Sequence, residues 1–170
     1  MSDASRPPVS REARRKAVEQ ALSQLARTME QLESAVSAFP PDFDPGAFKA
    51  AWYSTVPEER NKAMLVRSNM DDLHNLCQGL IDRSVRLAQD NGAIPADRKT
   101  PANDQLRGQG LYPREAQLVI QEVSDLRNSS QHEYWILAPE EVHAAVSNQR
   151  RHLPSFIAAL GNWVEGLTAK

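Results

Sequence analysis

Cysteine is almost absent from this chain: Cys77 stands alone among 170 residues. A single thiol cannot build an internal disulfide framework, and that usage fits a reducing compartment, so a cytoplasmic location is expected. Aromatic residues are scarce too, with four Phe, three Trp and three Tyr. They do not alternate with β-branched residues over any useful length, so nothing reads as a strand. No apolar run approaches the roughly 20 residues needed to span a bilayer. The polar N-terminus also lacks the apolar stretch of a secretion signal. Neither sign of charge dominates: 20 Lys and Arg face 22 Asp and Glu, for a formal net charge of −2. A chain-wide basic field for nucleic acid is therefore missing, and any such binding needs a local patch.

What is present is helical periodicity with firm punctuation. Eleven prolines outnumber seven glycines, and most of the prolines fall between periodic segments. The length suits one domain with a sizeable core. The expectation is an all-α antiparallel bundle of four to five main helices. The pattern predicts helices near 10–39, 45–54, 57–90, 113–131, 139–152 and 154–167, with a short turn near 104–110. Residues 1–9 read as a disordered tail and 10–170 as the single domain.

Ser10 can cap the first helix. Val18, Leu22, Leu25, Met29, Leu32, Val36 and Phe39 then recur at alternating steps of four and three. That is an a/d seam, and it favours a long helix within a bundle over a coiled-coil dimer, because the seam is short. Asp44-Pro45 opens the next helix as an N-cap followed by proline at the first helical position. The longest run begins at Pro57 and ends at Asn91-Gly92, a C-terminal stop signal. Its buried stripe reads Ala63, Val66, Met70, Leu73, Cys77, Leu80, Ile81, Ser84, Leu87 and Ala88. His74 follows Asp71-Asp72, but no second ligand stands at metal spacing, so it reads as a surface histidine and no metal or cofactor is expected. Arg11, Arg14, Arg15 and Lys16 oppose the dipole of their own helix and read as a solvated end. Arg150, Arg151 and His152 read as cations suited to a helix C-terminus just before Pro154. Between 98 and 114, Arg98, Lys99, Arg107 and Arg114 face Asp104 alone. The plain account is a polar loop; the functional one is a phosphate-steering, RNA-binding rim.

The densest chemistry lies in Asp125-Leu126-Arg127-Asn128-Ser129-Ser130-Gln131-His132-Glu133-Tyr134-Trp135. An amphipathic run from Pro113 leads into it, with Ala116, Val119, Ile120, Val123 and Leu126 on one face. Arg127 and His132 are five apart, about 140° around an ideal helix, so they converge only through arginine's reach or a distorted turn. The serines here weaken helix propensity. Histidine suits proton transfer near neutral pH, and arginine supplies fixed charge and forked donors for phosphate oxygens. Asn128 can hold the imidazole or bind ribose.

The order Arg127-Asn128-x3-His132-x-Tyr134-Trp135 resembles the motif of the HEPN superfamily. It looks most like the HepT-type toxins, small all-helical proteins carrying Arg-(polar)-x3-His-x-Tyr. Pro139-Glu140-Glu141-Val142 is similar to the proline-led helix that follows the motif in that family. Glu59-Arg60-Asn61, at the opening of a long helix, matches the family's element order. Ser129-Ser130-Gln131 departs from it, being polar where the family often carries apolar residues. The resemblance implies a metal-independent endoribonuclease with Arg127 and His132 catalytic and Asn128 and Tyr134 supporting. It also implies a homodimer that brings two motifs into one cleft, and a nucleotidyltransferase antitoxin that attaches AMP to Tyr134. Two alternatives stand beside it. In one, the bundle is inactive and binds RNA, nucleotide or a nucleotidyltransferase without cutting. In the other, Arg127 and His132 hydrogen-bond a helix junction, and Tyr134 and Trp135 are buried anchors.

Overall fold

The computed structural model describes residues 10–97, 99–110, 118, 120–121, 125 and 137–168. Among them there is no strand, and the chain is an all-α bundle. Its helices are α1 (Arg11–Val36), α2 (Pro45–Trp52), α3 (Pro57–Asp90), α4 (Ala102–Arg107) and α5 (Pro139–Thr168). Among the described residues no helix is long and apolar enough to cross a membrane. The tail before Ser10 lies outside the described residues.

The caps follow from local chemistry. The Ser10 hydroxyl accepts from the Ala13 amide at 3.2 Å, and the Asp44 carboxylate accepts from the Ala47 amide at 2.7 Å. Each satisfies an amide that the first helical turn leaves without a partner. α1 stops at Val36, three residues short of expectation, and Ala38 and Phe39 close tight turns instead. Pro40 disfavours helical backbone at the residue before it, which accounts for the early stop. α3 ends as anticipated: Gly92 takes φ +69°, the Ala93 amide donates to the Ala88 carbonyl and the Gly92 amide to that of Gln89. These are the two bonds of the Schellman motif.

The buried stripe of α3 is the expected one throughout, from Ala63 to Ala88. On α1 the buried residues are Val18, Ala21, Leu25, Thr28, Leu32, Ala35 and Val36, and Phe39 just beyond its end is buried too. Leu22 and Met29 pack against the core only partly buried. The expected seam is thus buried at Val18, Leu25, Leu32, Val36 and Phe39, widened by Ala21, Thr28 and Ala35, and it faces the bundle. α1 packs chiefly on α3. The two run antiparallel, because Arg14 at the start of α1 pairs with Asp90 at the end of α3. Arg150 of α5 meets Glu33, and Gly161 lies beside Leu22, so α5 also runs antiparallel to α1. α2 seals one end through Phe48, whose ring meets Phe39 at 5.3 Å and Phe43 at 5.1 Å, edge to face.

Four expectations need correction. α5 passes through Pro154 without a break, replacing the two helices expected there. Pro154 is exposed, while Leu153 and Phe156 on either side are buried. Each buried side chain contributes about 1.5–3 kcal/mol, enough to offset the roughly 3 kcal/mol cost of an interior proline. In consequence Arg150 does not serve a helix C-terminus. It forms a fork on Glu33, at 2.8 and 2.9 Å, within a continuous helix. His74 is not at the surface; it is 5% exposed. Helix periodicity explains this, since His74 sits beside Leu73 and one turn from Met70 on the side facing the bundle. Finally, the basic end of α1 is solvated at Arg11, Arg15 and Lys16 as expected, but Arg11 and Arg14 also engage the end of α3. Arg11 donates to the Asp90 carbonyl at 3.1 Å and Arg14 bridges its carboxylate. They oppose their own helix dipole and complement that of α3, whose C-terminus lies beside them.

Candidate functional site

The motif residues Arg127, Asn128, His132 and Tyr134 lie outside the described residues, as do Arg98 and Arg114. In the run before the motif, helical backbone is described at Leu118, Ile120, Gln121 and Asp125, and Gln121 donates to the Asp125 carboxylate at 2.8 Å. Lys99 and Arg107 are described, and both are exposed. Arg107 bridges Asp104 at 3.1 Å, a surface pair one turn apart.

Lys99 belongs to a segment that folds back over the last turns of α3. The Asp97 carboxylate accepts from the backbone amides of Lys99 and Thr100, at 2.7 and 3.2 Å. Hydrogen bonds from the Thr100 side chain and then from these two amides hold the Asp97 carboxyl below the usual range. Gln105 of α4 donates to the carbonyls of Asp97 and Thr100, at 2.9 and 2.7 Å, so one amide ties the segment at two points. Gln89 of α3 donates to the Gln105 side-chain oxygen at 3.0 Å and secures α4 to the bundle. Leu106, fully buried, anchors the far side of the same turn.

These contacts enclose a cleft of about 630 Å³ between the start of α1, the end of α3 and α4. Arg14, Asp82, Arg86 and Gln89 line it from the helices, and Asp97 and Gln105 from the folded-back segment. Sequence reasoning marked the basic composition of residues 98–114 but missed Asp82, Arg86 and the Gln89–Gln105 pair. Nothing in the spacing links residues sixteen apart across a proline-bearing linker. The one local signal was Asp97 before Arg-Lys-Thr, a residue type that readily bonds amides two or three positions on.

Other chemistry-bearing side chains are engaged in structure. The His143 ring nitrogen Nε2 lies 2.7 Å from the Phe43 carbonyl, and its ring stacks on Phe43 at 4.3 Å. Cys77 is buried, and desolvation pushes its thiol up to about 12, which leaves it un-ionised and inert. Among the described residues no group of three or more His, Cys, Asp or Glu could hold a metal ion. No protein-family model, no curated protein and no solved structure matches the chain.

Proposed function

We propose that this chain is a metal-independent endoribonuclease of the HEPN type, acting as a cytoplasmic homodimer under the control of a nucleotidyltransferase antitoxin. The observation that carries the reading is the Arg127-Asn128-x3-His132-x-Tyr134 spacing. The all-α bundle is the fold class that the resemblance implies, and helical backbone in the run before the motif supports it further.

In this reading His132 accepts the proton of a ribose 2′-hydroxyl as that oxygen attacks the neighbouring phosphorus. The bond from phosphorus to the 5′-oxygen breaks, and the leaving oxygen takes a proton from the histidine of the second copy. Arg127 offsets the charge that builds on the non-bridging oxygens. Asn128 orients the imidazole or the ribose, and the cations between 98 and 114 steer the backbone. Two proton transfers need two groups, and one chain offers one; the dimer supplies the other. AMP attached at Tyr134 adds a negative charge and a bulky base beside Arg127, which silences the cleft without unfolding the bundle.

The test is RNA cleavage by the purified chain in EDTA, with a 2′,3′-cyclic phosphate end as the expected product. His132→Ala and Arg127→Ala each abolish cutting while helicity by circular dichroism is unchanged. Wild-type rates in both variants, or no cutting of any RNA by the wild type, would overturn the reading.

A further inference from the structure

We propose that the cleft between α1, the end of α3 and the 96–105 segment is a nucleotide subsite, selective for a base that carries an exocyclic amino group. The nucleotide is either free or one unit of an RNA strand; only the second source rests on the ribonuclease reading above.

The volume of about 630 Å³ lies within the range of small-molecule sites. The walls are held in place before any ligand arrives, by the Gln89–Gln105 bond and the two carbonyl bonds of Gln105. What remains unused in the lining decides the ligand. Arg14 is held in an ion pair with Asp90, and Asp97 is occupied by the amides of its own turn. Asp82 and Arg86 make no hydrogen bond or ion pair among the described residues. They stand one helical turn apart and do not bridge each other. The side-chain oxygen of Gln89 likewise accepts no hydrogen bond among the described residues, because its amide nitrogen makes the contacts with Asp97 and Gln105. Val85, Ala96 and Ala102 add apolar surface.

A bare anion is a poor occupant. Arg86 attracts it, but with Arg14 and Asp90 paired to each other the remaining carboxylates of Asp82 and Asp97 line the same cleft and repel it. The fitting ligand brings an anionic group for Arg86, N–H donors for Asp82 and the Gln89 oxygen, and a flat body for the apolar surface. Nucleotides of adenine, cytosine and guanine meet all three requirements. Uracil has no amino group and offers a single ring N–H, so at least one of the two acceptors is left without a base donor. A site built to hydrogen-bond an amino group rejects the analogue lacking it more strongly than it rejects a change in apolar size.

Calorimetric titration of the full chain with AMP, CMP, UMP and inorganic phosphate tests this directly. CMP is expected to bind about tenfold or more tightly than UMP, and inorganic phosphate to show no saturable binding at millimolar concentration. Arg86→Ala lowers the affinity for AMP and CMP by about tenfold or more, because a charge-assisted bond is lost. Asp82→Ala narrows the gap between CMP and UMP. Both positions are exposed, and unchanged circular dichroism checks that the bundle is intact. Equal affinity for CMP and UMP, or no effect of Arg86→Ala, overturns the subsite. In a His132→Ala background, oligocytidylate binding more tightly than CMP identifies RNA as the source, and equal binding identifies the free nucleotide. A wild-type chain that cuts RNA but shows neither the base preference nor the Arg86 effect overturns the subsite and leaves the ribonuclease reading standing. A chain that binds CMP through Arg86 but cuts no RNA does the reverse.

Discussion

Replacing Pro154 with alanine is expected to stabilise the protein, and the size of the effect follows from the helix that contains it. Proline has no amide hydrogen, so the Arg150 carbonyl lacks its ordinary helical partner, and the ring crowds that turn. In a helix interior proline costs about 3 kcal/mol relative to alanine. Pro154 is exposed, so the substitution removes no core packing, while Leu153 and Phe156 stay buried at 1% and 0% exposure. Against the gain stands the freer unfolded chain, worth about 0.4–1 kcal/mol in the other direction. The net expectation is a stabilisation of roughly 1–2 kcal/mol, taking part of the helix penalty as already relieved by local bending. Urea denaturation followed by far-ultraviolet circular dichroism reads this as a higher midpoint with an unchanged slope. Wild type and variant are compared at one protein concentration, since self-association would shift both midpoints. A midpoint that stays the same or falls would refute the argument. It would mean that the backbone geometry proline imposes holds Leu153 and Phe156 in the core, and that an ordinary helical turn there packs worse.

Phe48→Ala removes the ring that meets Phe39 and Phe43 edge to face and is fully buried; it costs about 3–5 kcal/mol, read as a lower urea midpoint. A loss under about 1 kcal/mol would show that α2 is not fastened to the bundle through this side chain. The Asp97 carboxyl is held below the ordinary carboxylate value, so its contribution is present above about pH 3.9 and is lost as pH falls through its lower folded value. Asp97→Asn should therefore differ from wild type in melting temperature at pH 6 and converge with it in strong acid; a constant offset at every pH would contradict the assignment. Cys77, buried and with its thiol pushed up to about 12, should resist iodoacetamide at pH 8 in the native protein and react readily in urea. Rapid native labelling would show that α3 opens on the assay's timescale.

The features legible in the sequence share a cause: each is settled within a few residues of itself. The Ser10 and Asp44 caps, the Asn91-Gly92 stop and the α3 stripe from Ala63 to Ala88 are all local patterns, and the chain follows them. Where the reading failed, a distant element decided the outcome. Arg11 and Arg14 look misplaced on their own helix because the dipole they complement belongs to another one, about eighty residues on. Pro154 is a stop signal by propensity, yet Leu153 and Phe156 bury enough apolar surface in the core to carry the helix through it. His74 is polar and follows two aspartates, but the period of the stripe, not the identity of its neighbours, places it inside.

The same division separates the two proposed sites. The Arg127–His132 motif is a sequence object: its residue types and spacing state a chemistry without reference to any other part of the chain. The cleft beside α4 is a tertiary object. Residue 82 becomes relevant to residue 97 only after Gln89 and Gln105 bond across the turn that joins them. The stretch from 98 to 114 links these two proposed sites in sequence, since Thr100, Ala102 and Gln105 within it line the cleft and it leads into the run before the motif. Lys99 lies just before α4 and Arg107 ends it, and both are exposed. If the stretch steers phosphate, affinity for RNA must fall as salt rises, with a slope set by the number of phosphates neutralised. Arg86→Ala should then reduce that slope by about one contact, and it should do so for every sequence of RNA, whereas loss of Asp82 should alter base preference and leave the slope nearly unchanged. Fluorescence anisotropy of labelled oligonucleotides from 50 to 300 mM salt, roughly the range over which such slopes are resolved, separates the two effects. Identical slopes for the Arg86→Ala variant and the wild type would show that this guanidinium meets no phosphate.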